Sequence, residues 1–235
     1  MNGIFDSSFP WTQFSAIRTI GADLWYGFHI LLIPLTYISD LTIAIKIAAV
    51  LITFLVLASF RVALKNIDIK FSELWAILFL FSSPAIITRM TMMRPHPLSL
   101  GLTALIFSFF YRGSATLVFI FSFLLSWIHS SIFWFPMIAV CVLIFFQWLN
   151  NQEINARKFM GFLGGIAMGL IARPHPLANF KLIYIQVVDL YLSKNNELAK
   201  IIGGELKSPT WEGVYAQKFF FTVCIIALIY LLWWI

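Results

Sequence analysis

Charge is what this sequence has least of. Charged residues fill 11% of its 235 positions, against roughly 25% in an average soluble domain, so the chain cannot coat a surface that faces water. Cysteine is nearly absent. Cys141 and Cys224 both lie inside apolar runs, which excludes a disulfide framework, a zinc-ligand spacing and a redox pair. No GxSxG, P-loop or GxGxxG occurs, and no basic stretch precedes the first apolar run near Leu24 as a cleavable signal requires. What is there is apolar: 61% hydrophobic residues, with a mean hydropathy of +0.90. The net charge of +6 would suggest a nucleic acid. Here, however, the basic residues sit in short loops between apolar runs, as the positive-inside pattern places them. No nucleic-acid partner is therefore expected. The abundance of Phe and Trp fits lipid-facing helices with aromatic belts.

These features predict an all-α fold, a polytopic transmembrane helical bundle in one domain. It has about seven spans and a short juxtamembrane helix at 24–38 holding Pro34. Six runs fall within 41–171: Leu41–Leu64, Phe71–Ile87, Leu98–Tyr111, Ala115–Ile128, Ile132–Trp148 and Phe159–Ile171. The seventh is Phe219–Ile235. Three runs have only about 14 residues, short of the roughly 20 that a span needs, so tilted or partial crossings are expected among them. Counting spans places Arg61, Lys65, Lys70, Arg112, Arg157 and Lys158 on one side, which the positive-inside rule makes cytoplasmic. The opposite, non-cytoplasmic side then receives segment 1–23, the Arg89–Pro97 loop, His129 and the loop 172–218. All four histidines, His29, His96, His129 and His175, fall at that boundary. Lys46, inside the first long run, is close enough to its outer end to snorkel.

The pentapeptide RPHPL occurs twice, at Arg94–Leu98 and Arg173–Leu177. Two alternate prolines forbid a continuous helix and favour an extended segment, in which Arg94 and His96, and likewise Arg173 and His175, project together. Pro97 suits the first position of the helix that follows. A guanidinium fork, an imidazole and a helix N-terminus form a chemistry suited to phosphate or pyrophosphate, with Arg89 as an added cation. The plainer alternative is that each Arg snorkels to lipid headgroups and each Pro merely ends a helix. The four histidines have no i, i+4 pair, and no metal site is read from them. The glycines of GFLGGIAMG read as helix-packing positions.

The segment FPWTQFSAIRTIGADLWYGFHILLIPLT and the later residues Ser83-Pro84, Arg89, Arg94-Pro95 and Leu98-Ser99 together resemble polytopic glycosyltransferases of the GT-C superfamily. That group includes the protein O-mannosyltransferases and the aminoarabinose lipid A transferases. RPHPLANFKLIYIQ and GGELKSP are similar to a later outer loop of that group. The resemblance implies an integral membrane enzyme of a plasma or endoplasmic reticulum-type membrane. It would transfer a sugar from a polyprenyl-phosphate carrier to an acceptor on the non-cytoplasmic side. Such enzymes use an acid in the first outer loop to activate the acceptor. Asp23 is the candidate here, helix capping being its competing duty. Cations stabilise the departing lipid phosphate, a role for Arg89, Arg94 and Arg173 with His29, His96 and His175. The resemblance identifies no certain cofactor, and a divalent cation is compatible with this chemistry. The family's first helix and Asp motif should precede MNGIFDSSFPW, and the final run LIYLLWWI reads as cut short, so a fragment is expected. Two other readings stand beside this one: a lipid-binding or transport protein, and a non-catalytic subunit packed against a membrane-protein partner.

Overall fold

The computed structural model describes residues 22–184 together with Thr222 and Ile225. The expected span 219–235, apart from isolated Ile225 and Thr222, and the remainder of the loop 172–218 beyond Tyr184 lie outside the described residues, as does the segment before Ala22. Every regular element among the described residues is a helix.

Helix α1 (Tyr26–Leu32) runs into a 3-10 turn, Ile33–Tyr37, around Pro34. Helix α2 (Leu41–Asn66) starts where the Asp40 carboxylate accepts from the amides of Thr42 and Ile43, at 2.7 and 3.2 Å. Its buried stripe is Ala44, Ala48, Ile52, Val56 and Ala63. Small residues at helical spacing let a neighbouring backbone come close, and the neighbour is α5 (His96–Arg112). A Cβ on Gly101 would stand 3.1 Å from Ser59 Cβ. The outer face of α2 exposes Leu41, Ile43, Val50, Leu51, Phe54 and Leu55.

The predicted single run Phe71–Ile87 is instead two helices, α3 (Ser72–Phe81) and α4 (Pro84–Thr91), bent by 91°. Pro84 is responsible. It removes an amide and forces Ser83 into extended backbone (φ −156°, ψ 139°). The Ser83 hydroxyl then accepts from Ala85 N at 3.1 Å and starts the new helix.

Helices α6 (Ala115–Ile128) and α8 (Ala156–Ile171) form the closest pair. Gly161, Gly165 and Gly169 face α6 at four-residue intervals. A Cβ at each would come within 2.7 Å of Ala115 O, 2.4 Å of Phe119 O and 2.5 Å of Phe123 O. Helix α7 (Trp134–Leu149) follows a short turn at Ser130–Ile132, and α9 (Pro176–Tyr184) ends the described chain.

The helices alternate in direction between two ends. At one end Asn66 Nδ2 donates to the Arg112 carbonyl (2.8 Å) and Ser108 Oγ (2.9 Å), and Lys158 Nζ donates to Phe110 O (2.9 Å). The start of α5 and the ends of α6 and α8 meet at the other. Of the seven expected spans, the six that fall among the described residues are corrected to two there. Leu41–Asn66 and Ser130–Leu149 are long and apolar enough to cross a membrane, and the bent α3–α4 pair makes a third if taken as one broken span. The reason is length. Helices α5, α6 and α8 have 17, 14 and 16 residues, about 21 to 26 Å at 1.5 Å per residue, against a hydrocarbon core of about 30 Å.

Candidate functional site

The site lies where α1 caps the ends of α6 and α8. Asp23 precedes α1, and its Oδ1 accepts from Trp25 N at 2.8 Å. The same carboxylate holds His29, one turn into α1, with Oδ2 2.7 Å from Nδ1. Asp23 therefore does not act as the helix cap that competed with its catalytic role in the sequence: the N-cap of α1 is Trp25, which has no side-chain cap hydrogen bond, and Asp23 is committed to the Trp25 amide ahead of the helix and to His29. That contact fixes the orientation of the imidazole, with Nδ1 toward the carboxylate and Nε2 on the opposite side of the ring. Asp23 is mostly buried, whereas the His29 side chain is 42% exposed.

Trp25 gathers the histidines. Its ring centroid lies 6.2 Å from His29, 6.2 Å from His96 and 6.3 Å from His129. His96 and His129 approach to 4.7 Å. The Ser99 hydroxyl donates to Pro95 O at 3.0 Å, so it accepts from His129 Nδ1 at 2.9 Å. His129 is 2% exposed, and burial, with His96 and Arg173 nearby, pushes its pKa down to about 3. It is therefore neutral at physiological pH.

The two RPHPL turns differ from the extended geometry expected of them. Pro95 adopts helical backbone (φ −70°, ψ −17°), so His96 opens α5 and Pro97 follows as its second residue. Arg94 and His96 are not alternate residues of one strand. In the second copy His175 takes a left-handed φ of 53° and is exposed, which likewise breaks the shared face with Arg173. One pentapeptide makes two different turns because tertiary contacts decide each. Arg89 is exposed in the last turn of α4 and Arg94 is partly buried.

Arg173 is 4% exposed. Nε and Nη2 donate to Trp127 O at 3.2 and 2.7 Å, and Nη2 also to Leu24 O at 2.9 Å. Nη1 donates to Asp23 O at 3.2 Å and to Asn179 Oδ1 at 3.4 Å. These five contacts match the five N–H groups of a guanidinium. Arg173 thus offers its charge to this end of the bundle, while its hydrogen bonds tie α1, α6 and α9 together. Burial lowers its pKa to about 10, opposed by Asp23 and Tyr26, and it stays cationic at neutral pH.

The structure therefore brings Asp23, His29, His96 and Arg173 together. Trp25, Ser99, His129 and Asn179 were missing from the predicted site. Of these His129 carried a signal, its place on the same boundary, and Ser99 another, its place in the motif Leu98-Ser99. Among the described residues no three His, Cys, Asp or Glu side chains converge as a metal site.

His129 gives a pH prediction. Its folded pKa of about 3 lies below the unfolded value near 6.5, so the unfolded chain takes up a proton that the folded chain refuses. The stability concerned is fully present above about pH 6.5. It is lost on acidification toward pH 3, by about 1.4 kcal/mol per pH unit at most. Thermal unfolding in detergent at pH 7.5 and pH 5 should show a drop that His129→Asn reduces; Asn retains an N–H donor for Ser99. Equal drops in both proteins would reject this account.

No protein-family model, no curated protein and no solved structure matches this chain.

Proposed function

We propose that this chain is an integral membrane transferase of the GT-C type, or a portion of one. It moves a sugar from a polyprenyl-phosphate carrier to an acceptor hydroxyl on the non-cytoplasmic side. The observation that carries this reading is the Asp23–His29 pair, 2.7 Å apart, set beside the first RPHPL turn through Trp25. In the proposed step the acceptor oxygen attacks the anomeric carbon and its proton passes to His29 Nε2, with Asp23 holding the imidazole in place. The carbon–oxygen bond to the carrier breaks, and the electron pair leaves with the polyprenyl phosphate. In this proposal Arg94, in the first RPHPL turn, and Arg89, in the last turn of α4, are the cations assigned to the departing phosphate, with Arg173 acting through its field.

A second reading, a lipid-binding subunit without catalysis, is favoured by one observation: the contacts of Arg173 match all five of its donors. Transfer from polyprenyl-phosphate sugars by the purified chain in proteoliposomes separates the two. Transfer should fall by about 100-fold or more in His29→Ala and in Asp23→Asn, and Arg94→Gln should lower kcat while carrier binding persists. Carrier binding without any transfer by the unaltered chain would give first place to the second reading.

A further inference from the structure

A second polar hollow lies at the opposite end of the bundle, away from the histidines. It is a cavity of about 480 Å³ lined by Ile67, Asp68, Tyr111, Arg112, Gln147 and Gln152. Two tight turns build it. Asp68 follows α2 with φ 59°, and Asn151, next to Gln152, follows α7 with φ 53°. Asp and Asn are the non-glycine residues that best tolerate this left-handed backbone. Asp68 pairs with Arg112 across the mouth, both side chains being well exposed. Deeper in, the Gln147 Oε1 atom is buried and accepts no hydrogen bond.

Each lining group asks for a different part of one ligand. The Arg112 fork suits a phosphodiester, and the Asp68 carboxylate suits a cation. Gln147 Oε1 needs a donor, because a buried acceptor left unpaired is costly. A primary ammonium meets the last two demands together, whereas a trimethylammonium carries no N–H and meets only the charge. An exposed Asp–Arg pair contributes little to stability, so opening it around a zwitterion is not a large obstacle. The hollow also sits at the right depth: α2 ends one residue before Ile67, and the apolar stretch Ser130–Leu149 ends two residues past Gln147.

We propose that this hollow binds a phosphoethanolamine-type zwitterion, supplied as the headgroup of an ethanolamine phospholipid. The inference rests on the membrane placement in the preceding proposal and is independent of sugar transfer. The purified full chain in detergent is titrated with phosphatidylethanolamine, phosphatidylcholine and phosphatidylglycerol of identical acyl chains, and separately with free O-phosphoethanolamine. Phosphatidylethanolamine should raise the unfolding midpoint by about 5 °C, and the other two lipids by far less. Gln147→Leu and Arg112→Gln should remove that difference. Retained lipid counted by native mass spectrometry on the folded fraction gives the same comparison if a variant folds poorly. An effect of the lipid without an effect of the soluble zwitterion assigns the lipid source; equal effects assign the zwitterion alone.

Equal response to the ethanolamine and choline lipids, or a preference that Gln147→Leu retains, overturns the proposal. Failure of the membrane placement is read separately, as release of the chain from membranes by alkaline wash without detergent.

Discussion

Gly165→Leu should unfold or grossly loosen the bundle, while Gly164→Ala, one residue away, should leave it as stable as before or more so. A Cβ at position 165 would lie 2.4 Å from Phe119 O, 2.8 Å from Ser122 Cβ and 3.0 Å from Phe123 N. Two of these atoms are backbone, which cannot rotate aside, so α8 must retreat from α6 along its length. Overpacking typically costs 1–3 kcal/mol; with a whole helix displaced, about 3 kcal/mol or more is expected. At position 164 the nearest atoms belong to the Phe119 side chain, at 3.6 and 3.7 Å, an ordinary contact. Alanine there brings a gain in helix propensity of up to about 1 kcal/mol. Thermal unfolding of both variants in one detergent tests the pair. Similar midpoints for Gly165→Leu and the unaltered chain would mean that α6 and α8 do not pack this way.

The second large effect belongs to Arg173. Arg173→Met keeps much of the volume and removes every donor, stranding the carbonyls of Asp23 and Trp127 and the amide oxygen of Asn179, while the Leu24 carbonyl keeps only its bonds from Ser130. Breaking a buried charged network by removing one member costs about 3–5 kcal/mol. Arg173→Lys restores the charge but not the planar fork, and should recover only part of the loss. Limited proteolysis should then cut first near Asp23 and Trp127, the segments that the guanidinium joins. If Arg173→Met unfolds like the unaltered chain, these hydrogen bonds contribute little. Arg173 would then be available to a ligand, as the sequence suggested.

The helices themselves were largely legible. The apolar runs at 41–64, 115–128 and 132–148 match α2, α6 and α7 closely because each is bounded by polar residues and lacks an internal break. The bend at Pro84 was written in the sequence as Ser-Ser-Pro, but high hydropathy on both sides masked it. The number of spans was not legible from hydropathy alone. That measure sees that α5 and α8 are apolar, but not that Ser99, Thr103 and Ser108 of α5 are buried inside the bundle.

At the site, His29, His96 and His129 gather around Trp25, as three of the four histidines that the sequence put at one boundary, although the crossings counted to put them there are mostly too short to be spans. The local shape of RPHPL did not follow. Proline fixes its own φ and restricts its neighbour, yet leaves ψ at Pro95 and φ at His175 to be set by packing. Trp25 was invisible for a different reason. A tryptophan near a helix start has many ordinary uses, and only three-dimensional placement reveals that three imidazoles surround it.

The shortness of α6 and α8 has a consequence for the surrounding lipid. Met160, Met168 and Ile171 on α8 and Phe119 and Ile120 on α6 are exposed, so in a bilayer this pair meets acyl chains directly. Beside them the apolar thickness is several ångströms less than that of a typical membrane. Helix α2 and the 20-residue stretch Ser130–Leu149, in which the short turn leads into α7, match the full thickness by contrast. Such a mismatch is relieved by local thinning or by tilt. Thinning on one flank draws the headgroup plane toward the ends of α6 and α8. A lipid phosphate approaching from that flank would have less distance to travel to reach Trp25 and the histidines around it.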